Sequence, residues 1–139
     1  MFVSDLKFGE RYQTLAAQRL NLTDVCYSKG CFKPYDFITP DGTKYEVKAD
    51  RNVFKYKSFF IEYDCNGKPS GINATESDYW IHIDARPTES NSRFYKIPIS
   101  VLRQAVLRPE VIKKHGGDGG RASGYIVKQD WFADYEIKV

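Results

Sequence analysis

The chain has 139 residues, 42% hydrophobic and 28% charged, with a formal net charge of +3, the size and balance of one ordinary globular domain spanning 1–139. It carries no apolar run long enough for a membrane span and no secretion-signal pattern, so the expectation is a cytoplasmic protein that does not enter a membrane. The 3 cysteines, Cys26, Cys31 and Cys65, are an odd set in a chain that needs no staples, and fit reduced thiols better than a disulfide framework.

Leu6 to Leu20 places Phe8, Tyr12, Leu15, Ala16 and Leu20 near helical spacing and predicts an amphipathic first helix. A strand from Leu22 to Tyr27 follows, then the loop "SKGCFKP". Tyr35 to Thr39 and Thr43 to Ala49 read as a hairpin. "SFFIEY" (58–63) and "SDYWIHID" (77–84) are strands rich in aromatic and β-branched residues, and "RFYKIPI" reads as an edge strand because of Pro98. Ser100 to Arg108 predicts a second helix; "GGDGGRASG" reads as a flexible loop, "YIVKQ" as a last strand, and "WFADYEIKV" as strand or irregular. This order suggests an α/β fold, a central mixed β-sheet flanked by helices. His82, in a strand, and His115, in a loop, show no spacing that argues for catalysis.

The charge distribution says more than the net charge. Lys48, Arg51, Lys55 and Lys57 cluster with interleaved aromatics, and Lys113, Lys114 and Arg121 flank the glycine-rich segment. Solvated loops explain such clusters as readily as a nucleic-acid interface does. Tyr56 or Tyr79 could stack on an unpaired base, with core packing the ordinary outcome for aromatics in strands.

The hairpin is where the chemistry concentrates. Pro40, Asp41 and Gly42 suit a three-residue loop, a type I turn followed by a left-handed glycine. That loop pairs Thr39 with Thr43, Phe37 with Tyr45 and Asp36 with Glu46, and puts Lys48 on the face of the two carboxylates. Like charges about 4.5–5.5 Å apart at Cβ are destabilising unless compensated. A divalent cation compensates them, and hard carboxylate oxygens suit Mg²⁺, with Mn²⁺ as a substitute. A two-residue loop at Asp41 and Gly42 would instead pair Asp36 with Val47 and separate the carboxylates. An exposed strand on which Lys48 merely pairs Glu46 is the other alternative.

"YDF" followed by "YEVKA" resembles the PD-(D/E)xK nuclease superfamily, whose catalytic hairpin bears an Asp on one strand and an E-x-K on the next. Glu10, in "FGERY", matches the helical glutamate that often helps the metal site in that family. The position before Asp36 is Tyr35 rather than proline, and no long helix directly follows the E-x-K strand, which departs from the family's pattern. The resemblance implies a restriction-endonuclease-like core and a Mg²⁺-dependent DNA endonuclease that leaves a 5′-phosphate. Asp36, Glu46 and Glu10 would be its metal ligands and Lys48 would stand at the attacking water. A small phage or bacterial endonuclease, or a Holliday-junction-resolvase-like member, is the implied kind, acting in junction resolution, repair, homing or restriction and working as a homodimer. Arg51, Lys55, Lys57, Ser70, Lys113, Lys114 and Arg121 are the candidate DNA contacts, and Glu62 a candidate outer group of the site. The alternative function is a nucleic-acid-binding module on the same fold without chemistry.

Overall fold

The computed structural model describes residues 2–29, 33–116 and 121–138, with side chains from Lys7 onward. The first helix, α1 (Phe2–Arg19), starts before the expected boundary and buries Tyr12, Ala16 and Ala17. The expected strand over 22–27 shrinks to β1 (Cys26–Tyr27), and the hairpin arms are β2 (Phe37–Ile38) and β3 (Lys44–Asp50). The basic segment after β3 contains one helical turn, α2 (Val53–Tyr56), anchored by buried Val53. Then come β4 (Ser58–Cys65), β5 (Lys68–Pro69), β6 (Tyr79–Asp84), β7 (Arg93–Pro98), α3 (Ile99–Ala105), β8 (Ile112–Gly116) and β9 (Ala122–Lys128). The end, read as strand or irregular, is a run of 3₁₀ turns over Gln129–Tyr135.

Among the described residues the strands form two sheets. The first has the order β1-β2-β3-β6-β7 and is mixed: β3 and β6 run parallel, and the other pairs are antiparallel. The second, β5-β4-β9-β8, is antiparallel. An α/β architecture with a mixed sheet and flanking helices is therefore correct, but one central sheet was expected and a second one is present. Its strand β8 carries Lys113, Lys114 and His115, so these residues lie on a ladder and not in a loop.

The period-2 pattern of β3 sorts the first sheet's two faces. Tyr45, Val47 and Ala49 join Phe37, Ile81, Ile83 and Phe94 in a core against α1, whose small Ala16 and Ala17 allow close approach. Trp80, Tyr95 and Ile97, on the other face, pack with Phe59 and Ile61 of β4, with Leu102 of α3 and with Phe132. Glu46, Lys48 and Asp50 share this second face, between the sheets. Cys26 is exposed and Cys65 half-buried, both as free thiols, while Cys31 lies outside the described residues.

No described helix is long and apolar enough to cross a membrane.

Candidate active site

The turn sets the register. Thr39 N donates to Thr43 O at 3.0 Å, Gly42 N to Thr39 O at 2.9 Å, and Gly42 has φ +87°, the left-handed conformation that closes the three-residue loop. Asp41 braces it, accepting from the Thr39 hydroxyl and from Thr43 N. Phe37 then faces Tyr45, Ile38 faces Lys44, and Asp36 N donates to Tyr45 O at 2.8 Å. One further step along the ladder brings Asp36 to Glu46, as expected from the loop length, and the two-residue alternative is excluded.

Both carboxylates are buried, Asp36 at 5% exposure and Glu46 at 8%. Asp36 Oδ2 accepts from Val47 N at 2.7 Å and its Oδ1 lies 3.2 Å from Lys33 Nζ. Glu46 Oε1 accepts from the Thr75 hydroxyl at 3.3 Å, and Oε2 lies 3.6 Å from Lys48 Nζ. Burial pushes the Glu46 carboxyl up to about 7, and the neighbouring Asp36 charge adds to the rise against the opposing pull of Lys48 and Thr75. Burial also works against the charge on Lys48, but the carboxylates of Glu46, Asp36 and Glu62 outweigh it and hold the ammonium above its ordinary pKa. In this state Lys48 is a proton donor, able to orient a water or offset negative charge and unable to take up a proton.

Glu62 thus belongs to the same electrostatic unit. Its Oε2 accepts from the Ser70 hydroxyl at 2.7 Å. Ser70, expected at DNA, is spent on Glu62 instead. The next residue, Gly71, has φ +51°, and a Cβ there would stand 2.0 Å from the Glu62 carbonyl oxygen, so only glycine lets this turn press on β4.

Lys48 and Glu62 open onto a cleft of about 600 Å³ between the sheets, with Asp50, Arg51, Tyr56, Phe60 and Lys114 among its lining. Asp36 and Glu46 are not in that lining; they lie behind Lys48.

One cluster escaped the sequence reading. His82, judged isolated, is 1% exposed and sits in a chain of hydrogen bonds. Trp80 Nε1 donates to His82 Nδ1 at 3.1 Å, and His82 Nε2 contacts Asp50 Oδ2 at 3.0 Å. An indole N–H can only donate, so Nδ1 must be the acceptor, and the proton is on Nε2, directed at Asp50. Asp50 also accepts from Phe60 N at 3.1 Å and Asn52 N at 3.0 Å. Burial opposes its charge, but these bonds, led by that of His82, hold its pKa below the ordinary carboxylate value. The available signal was the alternation E-x-K-x-D in β3, since a strand face that bears three charges and still has to pack needs partners from neighbouring strands.

The remaining expected residues divide. Glu10 is exposed on α1, the helix that covers the opposite face of the sheet, and the structure does not bring it to Asp36 and Glu46. Among the described residues no three of His, Cys, Asp and Glu form a metal-ligand group. Arg51 lines the cleft and stacks over Phe8 at 3.7 Å. Lys55 and Lys57 are exposed on and after α2; Lys114 lines the cleft, whereas exposed Lys113 lies about 6 Å from the Tyr63 and Tyr125 rings. Arg121 is exposed just ahead of β9, and residues 117–120 of the glycine-rich segment lie outside the described residues. No protein-family model matches the chain, and neither does any curated protein.

Proposed function

We propose that the chain is a Mg²⁺-dependent deoxyribonuclease that hydrolyses phosphodiester bonds, with Asp36 and Glu46 as the metal-holding pair and Lys48 at the attacking water. The observation that carries this reading is electrostatic: two carboxylates are buried together, and burial, with the Asp36 charge adding to it, lifts Glu46 to about 7, on a strand whose next same-face residue is a charged lysine. Such a pair fits Mg²⁺, which takes one or two carboxylates and completes its shell with water and phosphate. Lys33 would have to leave Asp36 Oδ1 for that oxygen to become a ligand. Mg²⁺, when bound, polarises a phosphoryl oxygen and favours the ionised form of its ligands.

The chain's own residues do the rest. Lys48 positions the attacking water and offsets the charge that builds on phosphorus as the water oxygen attacks and the bond to the 3′ oxygen breaks, the attacking water giving its proton to bulk water and the 3′ oxygen taking one up from it. Glu46 and Asp36 keep Lys48 charged, and Glu62, held by Ser70, adds to their effect. Arg51, Lys55, Lys57 and Lys114 add sequence-independent attraction for the backbone. The homodimer and the junction, repair, homing or restriction setting belong to this proposal as implications of the family resemblance.

The test is a cleavage assay on linear, nicked, flapped and four-way DNA with Mg²⁺ or Mn²⁺. Wild type is expected to cut at least one substrate, and Lys48→Ala none. Cleavage that persists in purified Lys48→Ala rules out the proposed site. The second reading, a binding module without chemistry, is favoured by the pairing of each carboxylate with a protein cation, Lys33 or Lys48. It predicts DNA binding that is indifferent to Mg²⁺ and unchanged in Asp36→Ala.

A further inference from the structure

Two large aromatic side chains stand in solvent on the single turn of α2: Phe54 at 56% exposure and Tyr56 at 59%. Each has a cation beside it, Lys57 Nζ at 4.6 Å and Arg86 at 4.4 Å from the Phe54 ring, and Lys55 Nζ at 5.1 Å from the Tyr56 ring. Tyr56 and Ser58 line the cleft that holds Lys48 and also a second cavity of about 560 Å³, so the two cavities meet at this ridge. The second cavity presents Lys57, Arg93 and Lys128 against a single carboxylate, Asp130. Arg93 is paired with Glu136, whereas Lys57 and Lys128 have no carboxylate partner among the described residues.

Lys57 adds a second peculiarity. It ends α2 with φ 55° and ψ 33°, a left-handed position at which glycine is the ordinary occupant. A side chain is kept there where none is the easier choice, and it is a cationic one beside an exposed ring.

We propose that α2 is a stacking ridge for an unpaired DNA strand, which runs from the Lys48 cleft over Tyr56 into the Lys57 and Lys128 cavity. A base stacks on Tyr56 while phosphates on either side meet Lys114 and Lys57. Exposed rings interleaved with cations along a groove are the arrangement that binds single strands without reading sequence. The substrate class follows: a strand with unpaired bases, as in a flap, a frayed end or an opened junction, in preference to a closed blunt duplex. The choice of a nucleic acid over another polyanion rests on the reading of the carboxylate site as a nuclease. The strand track itself is carried by α2 and the two cavities.

The experiment measures binding without chemistry: fluorescence anisotropy of labelled oligothymidylate and of a blunt duplex of equal length, in EDTA, across a salt series. Wild type binds oligothymidylate more tightly than duplex. Tyr56→Ala, at an exposed position that leaves the core intact, weakens single-strand binding roughly 5- to 100-fold, the worth of one stacked base, and Tyr56→Phe restores it. Lys57→Gly relieves the left-handed backbone, so it melts no lower than wild type, yet its salt slope falls by about 0.7, one phosphate contact on a single strand. Equal affinity for the two DNAs, unchanged binding by Tyr56→Ala, or polyglutamate competing as well as oligothymidylate overturns the proposal. Cleavage is scored separately with Mg²⁺: binding that passes these tests without any cleavage keeps the track and removes the nuclease, and cleavage with no single-strand preference does the reverse.

Discussion

Two charge clusters share one face of one sheet. Asp36, Glu46 and Lys48 occupy the hairpin, while Asp50, His82 and Trp80 begin two residues farther along β3 and continue across β6. Both are buried and hydrogen bonded, yet they differ in electrostatic state. The Asp50 carboxylate receives donors from three residues, with its proton affinity lowered, and the imidazole beside it has a fixed tautomer. Glu46 is buried with only a long contact to Thr75 and a 3.6 Å ion pair in compensation, and the Asp36 charge adds to the effect of burial, so its proton affinity rises. A saturated cluster stabilises the fold, and a cluster left under tension is available to a cation or a proton. Buried charge alone does not mark a site; a buried carboxyl whose partners do not offset the cost of its burial is the sharper sign.

The comparison can be broken by substitution. Lys48→Ala touches only the tense cluster, and on the proposed mechanism it lowers the single-turnover cleavage rate by about 10²- to 10⁴-fold, with circular dichroism and melting close to wild type. Asp50→Ala acts on the saturated one. It leaves His82 Nε2–H and Phe60 N without an acceptor at the join between the sheets, which costs about 3 to 5 kcal/mol in urea unfolding.

The pH dependence of stability gives the two clusters opposite signs. Glu46 binds its proton more tightly folded, about 7 against an ordinary 4.5, so its contribution is complete below pH 4.5 and is lost as pH rises through 7. Relative to Glu46→Gln, wild type should lose about 3 kcal/mol over that window, and Mg²⁺ should flatten the loss by favouring the ionised form. Asp50 binds its proton less tightly folded, so its contribution is present above the ordinary aspartate range and disappears as pH falls below it. Urea titrations of wild type, Glu46→Gln and Asp50→Asn from pH 3 to 8 separate the two, and parallel curves for all three would erase the distinction. A smaller effect than that of Asp50→Ala is expected from Thr75→Val, which removes the 3.3 Å donor to Glu46, raises its pKa slightly further and takes the acceptor from Ser77 N, at a stability cost of about 1 to 3 kcal/mol.

How much of this was legible in the chain depends on how local the signal was. Pro40-Asp41-Gly42 fixes its own loop, and loop length fixes the register, so the Asp36, Glu46 and Lys48 face was readable from a few neighbouring residues. The second sheet was not readable, because β8 pairs through Lys113, Lys114 and His115, whose composition resembles a loop and whose pairing with β9 is a tertiary fact. His82 failed in part for the same reason: its partner Asp50 is chosen by the parallel register of β3 with β6, which no short stretch encodes, whereas Trp80 stands two residues away on the same strand. Glu10 was assigned by resemblance, and the face that α1 covers is set by Tyr12, Ala16 and Ala17, which turn that helix onto the other side of the sheet.

The most direct test of the contrast sets Asp36→Ala beside Asp50→Asn in a Mg²⁺-dependent DNA cleavage assay, at a temperature where both are folded by circular dichroism. The expected result is that Asp36→Ala loses cleavage, melting lower because Val47 N is left without its acceptor, and that Asp50→Asn also melts lower but cuts within about tenfold of wild type. If Asp36→Ala still cuts, or if the two variants lose activity together in proportion to their lost stability, the hairpin carboxylates are not the catalytic site.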